Sequence, residues 1–356
     1  MNKKSIAVIF GGVSSEHDVS LVSATNIINC LSKDKYDVHM IGITKDGKWY
    51  LYTGNVSNIK DDKWIDDSCC VSASILPDRA HRGITVFYPD GIKTIDVDCV
   101  FPVLHGKNGE DGTIQGLFEL CSLPFVGCDM LSSAVSMDKS MTNLIMDYAD
   151  IPQAKWLSTT KYEYEKNSDA FLDKAIDYLS LPIFVKPACT GSSVGITKAT
   201  DREMLKKAMD VAFSQDRKAV LEETIVGREI ECAVLGNDEP VAAVPCEILS
   251  CNDFYDYDAK YILDGTRTVL PAKLGEENTE KLRELAVKVY KTLGCSGMTR
   301  VDFFASADGG RFWFNEVNTI PGFTPISMYP KMFEACGKTT PELVDELIEL
   351  AIERCR

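Results

Sequence analysis

Two apolar runs that break off at glycine constrain this chain more than any other feature. SIAVIF at 5–10 ends on Gly11-Gly12, and DVDCVFPVLHG at 96–106 ends on Gly106. Runs this short and apolar read as strands buried on both faces. From Val19 to Leu31 apolar residues recur near the helical period, behind Ser14 and Ser15 as caps. DVHMIGIT at 37–44 is another strand, TIQGLFELC at 113–121 a helix and LPFVG at 123–127 a short strand, while the polar residues 53–80 read as loop. Strand–helix alternation predicts a parallel sheet with ligand-facing loops at the strand C-terminal ends, here after Phe10 and after Leu104.

A helix from about Leu131 to Tyr148 opens the middle of the chain. A strand near Lys155–Ser158, a helix at 168–179 and the strand PIFVKPA (182–188) follow, then a Gly/Ser loop, the strand GITKAT, a helix at 201–214 and the strand AVLEETI (219–225). The last part holds two strands, REIECAVLG and PVAAVPCEIL, joined by NDE. It continues with an aromatic loop (251–268), a long helix (276–293), a hairpin (298–318) and closing helices (327–336 and 339–355). At ~100–200 residues per domain, 356 residues predict two or three domains, and no repeat or low-complexity tract interrupts them.

Asp and Glu number 53 against 38 Lys and Arg, a formal charge of −15. That excess argues against nucleic acid or an anionic membrane as partner, because both need stripes of Lys and Arg. It leaves room for an anionic small molecule in a locally basic or cation-containing pocket. The 13 cysteines are odd in number, include no C-x-x-C pair and mostly sit in apolar runs, as reduced thiols in a cytoplasmic protein do. The N-terminal apolar run Ile6–Phe10 is too short for a signal peptide, and no stretch approaches the ~18 apolar residues of a membrane span. All four histidines lie at or before His105. Chemistry beyond that point falls to carboxylates, lysines, arginines, hydroxyls or a hard metal ion.

GSSVG at 191–195 fits the nucleophile-elbow pattern, but no histidine follows Ser193 to complete a triad. The loop is then either a plain turn or a cradle for phosphate, built from small residues, hydroxyls and the preceding Lys186. The hairpin 298–318 says more. With Asp308-Gly309-Gly310 as its turn, Ala307 pairs with Arg311, Asp302 faces Glu316 and Arg300 faces Asn318, all on one side. Opposed carboxylates repel unless a cation sits between them, and oxygen donors without His or Cys suit Mg²⁺. Their flanks, VDFF and RFWFNEV, are strongly apolar, which turns the polar cluster inward. Three other features each leave two readings open. Glu222, Glu223 and Glu229 are either surface charge or holders of a nucleoside. FYDYDAKY (254–261) is either a packed loop or a lid. Glu16 either meets a substrate ammonium or caps the helix after it.

Together these residues resemble the D-alanine–D-alanine ligases of the ATP-grasp superfamily. Seven segments carry the likeness in family order: AVIFGGVSSEHDVS, LHGKNGEDGTIQG, MDKSMT, FVKPACTGSSVGITK, FYDYDAKY, TRVDFF and FNEVNTIPGFTPISMYP. The resemblance implies an α/β (α+β) chain: an N-terminal parallel-sheet α/β domain over 1–127, then a two-domain ATP-grasp fold over 128–225 and 226–356. It implies ATP, two Mg²⁺ (or Mn²⁺) ions, an acyl phosphate and a homodimer. Lys139, Lys186 and Ser193 would meet the ATP phosphates, and Glu222, Ile225 and Glu229 the adenine and ribose. Asp302, Glu316 and Asn318 would bind the metals. Glu16 would hold the ammonium of the first D-alanine near His105. Ser192 and Tyr261 would join Glu16 in a hydrogen-bonded group linking the lid to the N-terminal domain. Lys260 would reach the transferred phosphate. Arg300 and the backbone of Gly322 would stabilise the tetrahedral intermediate, and Ser327 and Met328 would receive the second substrate's carboxylate.

Tyr261 resembles the dipeptide-forming members. IGITKDGKWYLYTG and LGCSGMTRVD resemble the D-alanine–D-serine ligases of the vancomycin-resistance group, which tend to carry Arg where this chain has Met328. Met cannot donate to a serine hydroxyl, which favours D-alanine as the second substrate. A nucleotide-binding protein without ligase activity is the alternative of another class. The intact Lys260, Arg300 and Asp302/Glu316/Asn318 argue against it.

Overall fold

The computed structural model describes residues 3–66, 68–249 and 267–355. Its first sheet contains β1 (Lys4–Gly11), β2 (Tyr36–Ile43), β3 (Trp49–Tyr52), β4 (Cys70–Ser74), β5 (Gly83–Tyr88), β6 (Gly91–Asp96) and β7 (Cys99–Val103), in the order β6-β5-β4-β3-β2-β1-β7. β1 pairs in parallel with both β2 and β7, and β2 to β6 form an antiparallel meander. The expected parallel sheet is therefore only the three strands β2-β1-β7 at one end of a mixed one. Residues 53–80, expected as loop, supply β4 and the fully buried Trp64, which stands edge-on to Phe10 at 5.2 Å. A Cβ at Gly42 would fall 2.4 Å from that indole ring, so the glycine is what admits it. Residues 123–127 form no strand, only an isolated bridge between Val100 and Phe125.

β1 is apolar throughout because both its faces are covered. Ile6, Val8 and Phe10 meet α1 (His17–Cys30), while Ala7 and Ile9 share a core with Leu104, Ile114 and Phe118, the last two from α2 (Thr113–Leu120). The predicted helix 131–148 is two, α3 (Met130–Met137) and α4 (Lys139–Tyr148). Asp138 between them is extended, and its carboxylate caps the backbone N–H groups of Ser140 and Met141.

The second sheet is antiparallel, ordered β10-β9-β11-β8, from β8 (Trp156–Thr160), β9 (Ile183–Pro187), β10 (Thr197–Ala199) and β11 (Lys218–Glu223). Following α5 (Lys161–Lys166), helices α6 (Ser168–Leu179) and α7 (Arg202–Gln215) cover one face, packing Leu172, Leu205 and Met209 on Ile183, Val185 and Leu221. The two-residue period turns Phe184, Lys186 and Glu222 to the other face.

The third sheet contains β12 (Arg228–Gly236), β13 (Val241–Ala242), β14 (Cys246–Leu249), β15 (Arg267–Val269), β16 (Gly297–Ala305) and β17 (Phe312–Asn318). PVAAVPCEIL is thus two short strands rather than one. α8 (Glu276–Thr292) buries Leu282, Ala286 and Val289 with Ile230, Cys232, Val301 and Phe303, leaving Glu231, Arg300 and Asp302 for the opposite face. After α9 (Met328–Glu334), α10 (Thr340–Arg354) returns to the first sheet's core through Leu343 and Leu347.

The hairpin β16–β17 departs twice from the expected register. The Ser306 N–H donates to the Arg311 carbonyl at 2.9 Å, so the turn holds four residues, 307–310, not three. Pairs then run Ala305↔Phe312 to Phe303↔Phe314 until a bulge inserts Asn315. The extra residue restores Asp302↔Glu316 and Arg300↔Asn318, as expected.

Candidate functional site

The free faces of the second and third sheets bound a cleft of about 490 Å³, lined by Lys186, Ser193, Glu222, Ile225, Glu229 and Glu316 among others. A smaller recess beside it is lined by Lys139, Glu110, Gly191, Glu316 and Asn318. Glu222 and Glu229 thus line a cleft rather than open surface.

Lys186 Nζ lies 2.6 Å from Glu222 Oε2, and Asn143 Nδ2 donates to Glu222 Oε1 at 3.3 Å. Burial would lower the Lys186 pKa, but Glu222 outweighs it and holds the ammonium above its usual value. Lys186 also donates to Asn315 Oδ1 at 3.3 Å, a contact the bulge creates. Lys139 Nζ donates to the Thr190 carbonyl at 2.8 Å and stands 4.0 Å from Glu316. Burial lowers its pKa, with Glu316 opposing. Two buried lysines therefore stand at the cleft and its recess, each beside a carboxylate.

Arg300 grips Asp302 with two hydrogen bonds, Nε to Oδ1 at 2.8 Å and Nη2 to Oδ2 at 2.7 Å. Asn318 Nδ2 donates to Asp302 Oδ2 at 3.0 Å. Burial acts to lower the Arg300 pKa, but Asp302 and then Glu231 outweigh it and raise it. Asp302 is 2% exposed, too dry for a carboxylate without a cation nearby, and Arg300 supplies that charge. With Glu316 directly opposite and oxygen donors only, this set fits a hard divalent ion. The other cluster of metal-type groups among the described residues is His17, Asp18 and Asp62. It already contains a cation, Lys45, 2.9 Å from Asp18 and 3.7 Å from Asp62.

Glu16 does not cap the helix it precedes. Its carboxylate, 6% exposed, accepts the Ser192 hydroxyl and lies against Gly106 and Gly191, where a Cβ would come within 2.4 and 3.1 Å of Oε2. His105 is 5% exposed and paired through both nitrogens, Nδ1 with the Ile320 carbonyl at 3.0 Å and Nε2 with Ser23 Oγ at 3.2 Å. The carbonyl can only accept, so Nδ1 carries the proton. Ser23 Oγ in turn accepts the Phe323 N–H at 3.2 Å, leaving its hydroxyl hydrogen for Nε2. Burial lowers the His105 pKa, which keeps this neutral tautomer.

Beyond His105, Ser327 Oγ accepts the Thr324 N–H at 2.9 Å, and a Cβ at Gly322 would sit 2.8 Å from that oxygen. Met328 begins α9 with a buried side chain. Lys260, Tyr261 and the loop carrying them lie outside the described residues.

Three site groups escaped the sequence reading. Glu110 accepts the Gly106 N–H at 2.7 Å and the Ile320 N–H at 3.1 Å. Burial, then the charge of Glu16, push its pKa up to about 8. Glu231 stands beside Arg300, and Asn315 beside Lys186. Glu110 lies inside LHGKNGEDGTIQG, and the two neighbours of Asn315 in FNEVN draw attention to it, but no local signal marked Glu231.

A cleft between two antiparallel sheets that presents Lys186 beside Glu222 and Glu316, with a recess presenting Lys139 and a buried Arg300–Asp302 pair on the third sheet, suits an enzyme that handles a phosphorylated small molecule. Comparison with known proteins narrows the class. Residues 5–128 match the family described as D-ala D-ala ligase N-terminus, and residues 145–349 the D-ala D-ala ligase C-terminus. A D-alanine–D-alanine ligase of Caldicellulosiruptor bescii is 49% identical over 356 residues, covering 100% of this chain and 97% of that protein. One from Acetivibrio thermocellus is 48% identical over 364 residues, covering 99% and 97%. Among solved structures, the VanG D-Ala:D-Ser ligase of Enterococcus faecalis superposes with a TM-score of 0.90 at 42% identity, covering 98% of this chain and 100% of that one. The D-alanine–D-alanine ligase of Coxiella burnetii gives 0.87 at 36% identity, covering 100% and 95%. The chain belongs to the D-alanine–D-alanine ligase family, and is an enzyme, an ATP-dependent ligase of small molecules on the ATP-grasp fold. Among the described residues no helix is long and apolar enough to cross a membrane.

Proposed function

We propose that this enzyme joins two D-alanine molecules at the expense of ATP, through a D-alanyl phosphate, and supplies D-alanyl-D-alanine for peptidoglycan precursors. The observation that carries this reading is the grouping of three charge sets around the cleft and its adjoining recess. Lys139 and Lys186 suit phosphates, Asp302/Glu316/Asn318 suit a divalent ion, and Glu16 beside His105 suits an ammonium.

A carboxylate is a poor electrophile until ATP converts it to an acyl phosphate. Lys139, Lys186 and the backbone of the 191–195 loop neutralise and orient the phosphates, with Ser193 adding a hydroxyl. Glu222, Ile225 and Glu229 hold adenine and ribose. Glu16, fixed by Ser192, receives the first ammonium while neutral His105 shapes that pocket without adding charge. Lys260 and Tyr261, which lie outside the described residues, belong to this scheme by the family resemblance, Lys260 toward the phosphoryl group and Tyr261 with Glu16 and Ser192. Asp302, Glu316 and Asn318 would hold two Mg²⁺ or Mn²⁺ ions, which would supply charge neutralisation to the phosphoryl oxygens. Arg300 and the Gly322 backbone face the oxyanion formed when the second amine attacks. Ser327 and Met328 receive its carboxylate. No nucleophilic side chain is needed.

The reading extends to a homodimeric cytoplasmic protein of three domains, 1–127, 128–225 and 226–356. Each of the three sheets falls within one of these intervals, which supports the division.

D-serine as second substrate is the competing reading, favoured by the similarity to the VanG enzyme. Met328 weighs against it, since a thioether donates no hydrogen bond. A coupled ADP-release assay over paired D-amino and D-hydroxy acids separates them. Release with D-alanine and Mg²⁺ alone is expected. Release only when D-serine accompanies D-alanine would overturn the D-alanyl-D-alanine assignment, and ATP binding without turnover on any pair would overturn ligation.

A further inference from the structure

Three carboxylates stand abreast on neighbouring strands of the third sheet: Glu231 on β12, Asp302 on β16 and Glu316 on β17, in direct register. Arg300 spends both of its described Asp302 bonds on the middle one, at 2.8 and 2.7 Å, and its Nε also lies 3.4 Å from Glu231 Oε1. Asn318 adds a third donor to Asp302 at 3.0 Å. Arg300 therefore occupies the oxygens a divalent ion between Asp302 and Glu316 would need. The ion and the guanidinium compete for one carboxylate.

The strand order supplies the way out. β12 and β17 flank β16 on opposite sides, so Glu231 and Glu316 lie on opposite sides of Asp302. An ion drawn toward Glu316 lies on the side of Asp302 away from Glu231, the carboxylate toward which Arg300 can turn. Glu231 is 3% exposed, in a strand whose next residues on that face are Ala233 and Leu235. A carboxylate so buried is costly unless it meets a charge, and Arg300 is the charge beside it.

We propose that Glu231 is a positioning residue that receives the Arg300 guanidinium when Asp302 turns to a divalent ion, coupling ion loading to the placement of Arg300. The proposal rests on the metal reading above. In the ion-free arrangement Arg300 is the counter-charge of Asp302. In the loaded arrangement it is held by Glu231 and presents its remaining N–H groups to the cleft. Without Glu231 the guanidinium has only Asp302 to hold, and the ion must displace it with no compensating pair.

Mn²⁺ titration followed by electron paramagnetic resonance, on the full chain with saturating adenylyl imidodiphosphate, reads ion affinity without turnover. Glu231→Gln should weaken Mn²⁺ binding at least fivefold. The same change in an Arg300→Met background should move it less than twofold, because no guanidinium remains to be received. Glu231→Asp, which keeps the charge, should recover part of the loss and guards against a merely misfolded Gln variant. An unchanged affinity in Glu231→Gln overturns the proposal. So does an equal loss in both backgrounds, which would mean that Glu231 acts on the ion or the fold directly. Asp302→Asn is the separate check: if it leaves Mn²⁺ affinity intact, the metal reading itself fails and this coupling with it.

Discussion

The hydroxyl of Ser192 donates to the carboxylate of Glu16 across 176 residues of chain. One partner follows the first strand of the N-terminal sheet, and the other sits in the Gly/Ser loop between β9 and β10. The loop holds two consecutive non-glycine residues in the left-handed region, Ser192 at φ 48° and Ser193 at φ 58°. Left-handed serines are strained and persist where surrounding contacts hold them. Here Val194 N–H donates to the Gly191 carbonyl, and Thr190 Oγ1 to the Val194 carbonyl, both at 3.1 Å. The Glu16 bond thus ties the phosphate-side loop to the proposed ammonium site.

Ser192→Ala should uncouple them while leaving the strained backbone in place. A hydrogen bond to a charged group is worth about 1.5–3 kcal/mol. The variant should lose about 10- to 100-fold in kcat/KM for the first amino acid. ADP-release kinetics at varied D-alanine, beside a melting curve close to the parent's, check it. Unaltered kinetics would reduce the bond to structural decoration.

Glu316→Gln tests the ion set from the other side. Glu316 is the more exposed of the facing carboxylates and holds no fold-determining core position, so the variant should fold with a near-parental melting temperature. Turnover should fall at least a hundredfold, with Mn²⁺ binding weakened in parallel. A near-normal rate would remove Glu316 from the metal assignment.

Lys186 and Glu222 form the driest lysine–carboxylate pair in the cleft, each side chain 11% exposed. Breaking a buried pair leaves an uncompensated charge, at about 3 kcal/mol. Lys186→Met should therefore destabilise the protein by about that much, and Lys186→Met/Glu222→Gln should recover much of it, as denaturant melts of the cycle would reveal. Nucleotide affinity, measured by calorimetry, should fall in both variants. Recovered affinity in the double variant would mean that Lys186 only balances Glu222 and never meets phosphate.

Much of this site was legible because its parts are local. The Gly/Ser loop drew attention to the preceding Lys186, and hairpin geometry put Asp302 opposite Glu316. The hairpin also shows the limit of such reading. Its turn is one residue longer than expected, and only the bulge at Asn315 brings the facing pairs back into place. Counting residues could not foresee two opposite departures. Likewise residues 53–80 looked idle because Trp64 earns its burial against Phe10 and Gly42, contacts distant in sequence. The parallel sheet was over-extended for a related reason: alternation identifies β1, β2 and β7, while the antiparallel meander added at the edge follows from turns alone. Glu231 is defined by Arg300, 69 positions away, and nothing near it in sequence announces it, while Glu110 joins the nearby Gly106 to Ile320, 210 positions away.

Glu110 offers a prediction that needs no substrate. Its folded pKa, about 8, lies above the ordinary glutamate value of 4.5, because burial and Glu16 disfavour the charge more than the two backbone N–H donors support it. The folded state therefore binds a proton more tightly than the unfolded chain. The resulting stabilisation is fully present below pH 4.5 and is lost as pH rises through about 8. Between those limits the slope is at most about 1.4 kcal/mol per pH unit, falling with pH. Glu110→Gln cannot titrate. It also offers one oxygen where Gly106 and Ile320 each donate, so the variant starts with a pH-independent deficit of about 1–3 kcal/mol. Urea melts from pH 5 to 9 should show the parent-minus-variant stability declining toward pH 8 and levelling above it. Groups that do not interact with Glu110 cancel in that difference. A difference constant across the range would mean that Glu110 is ionised throughout, with the Gly106 and Ile320 donors outweighing its burial.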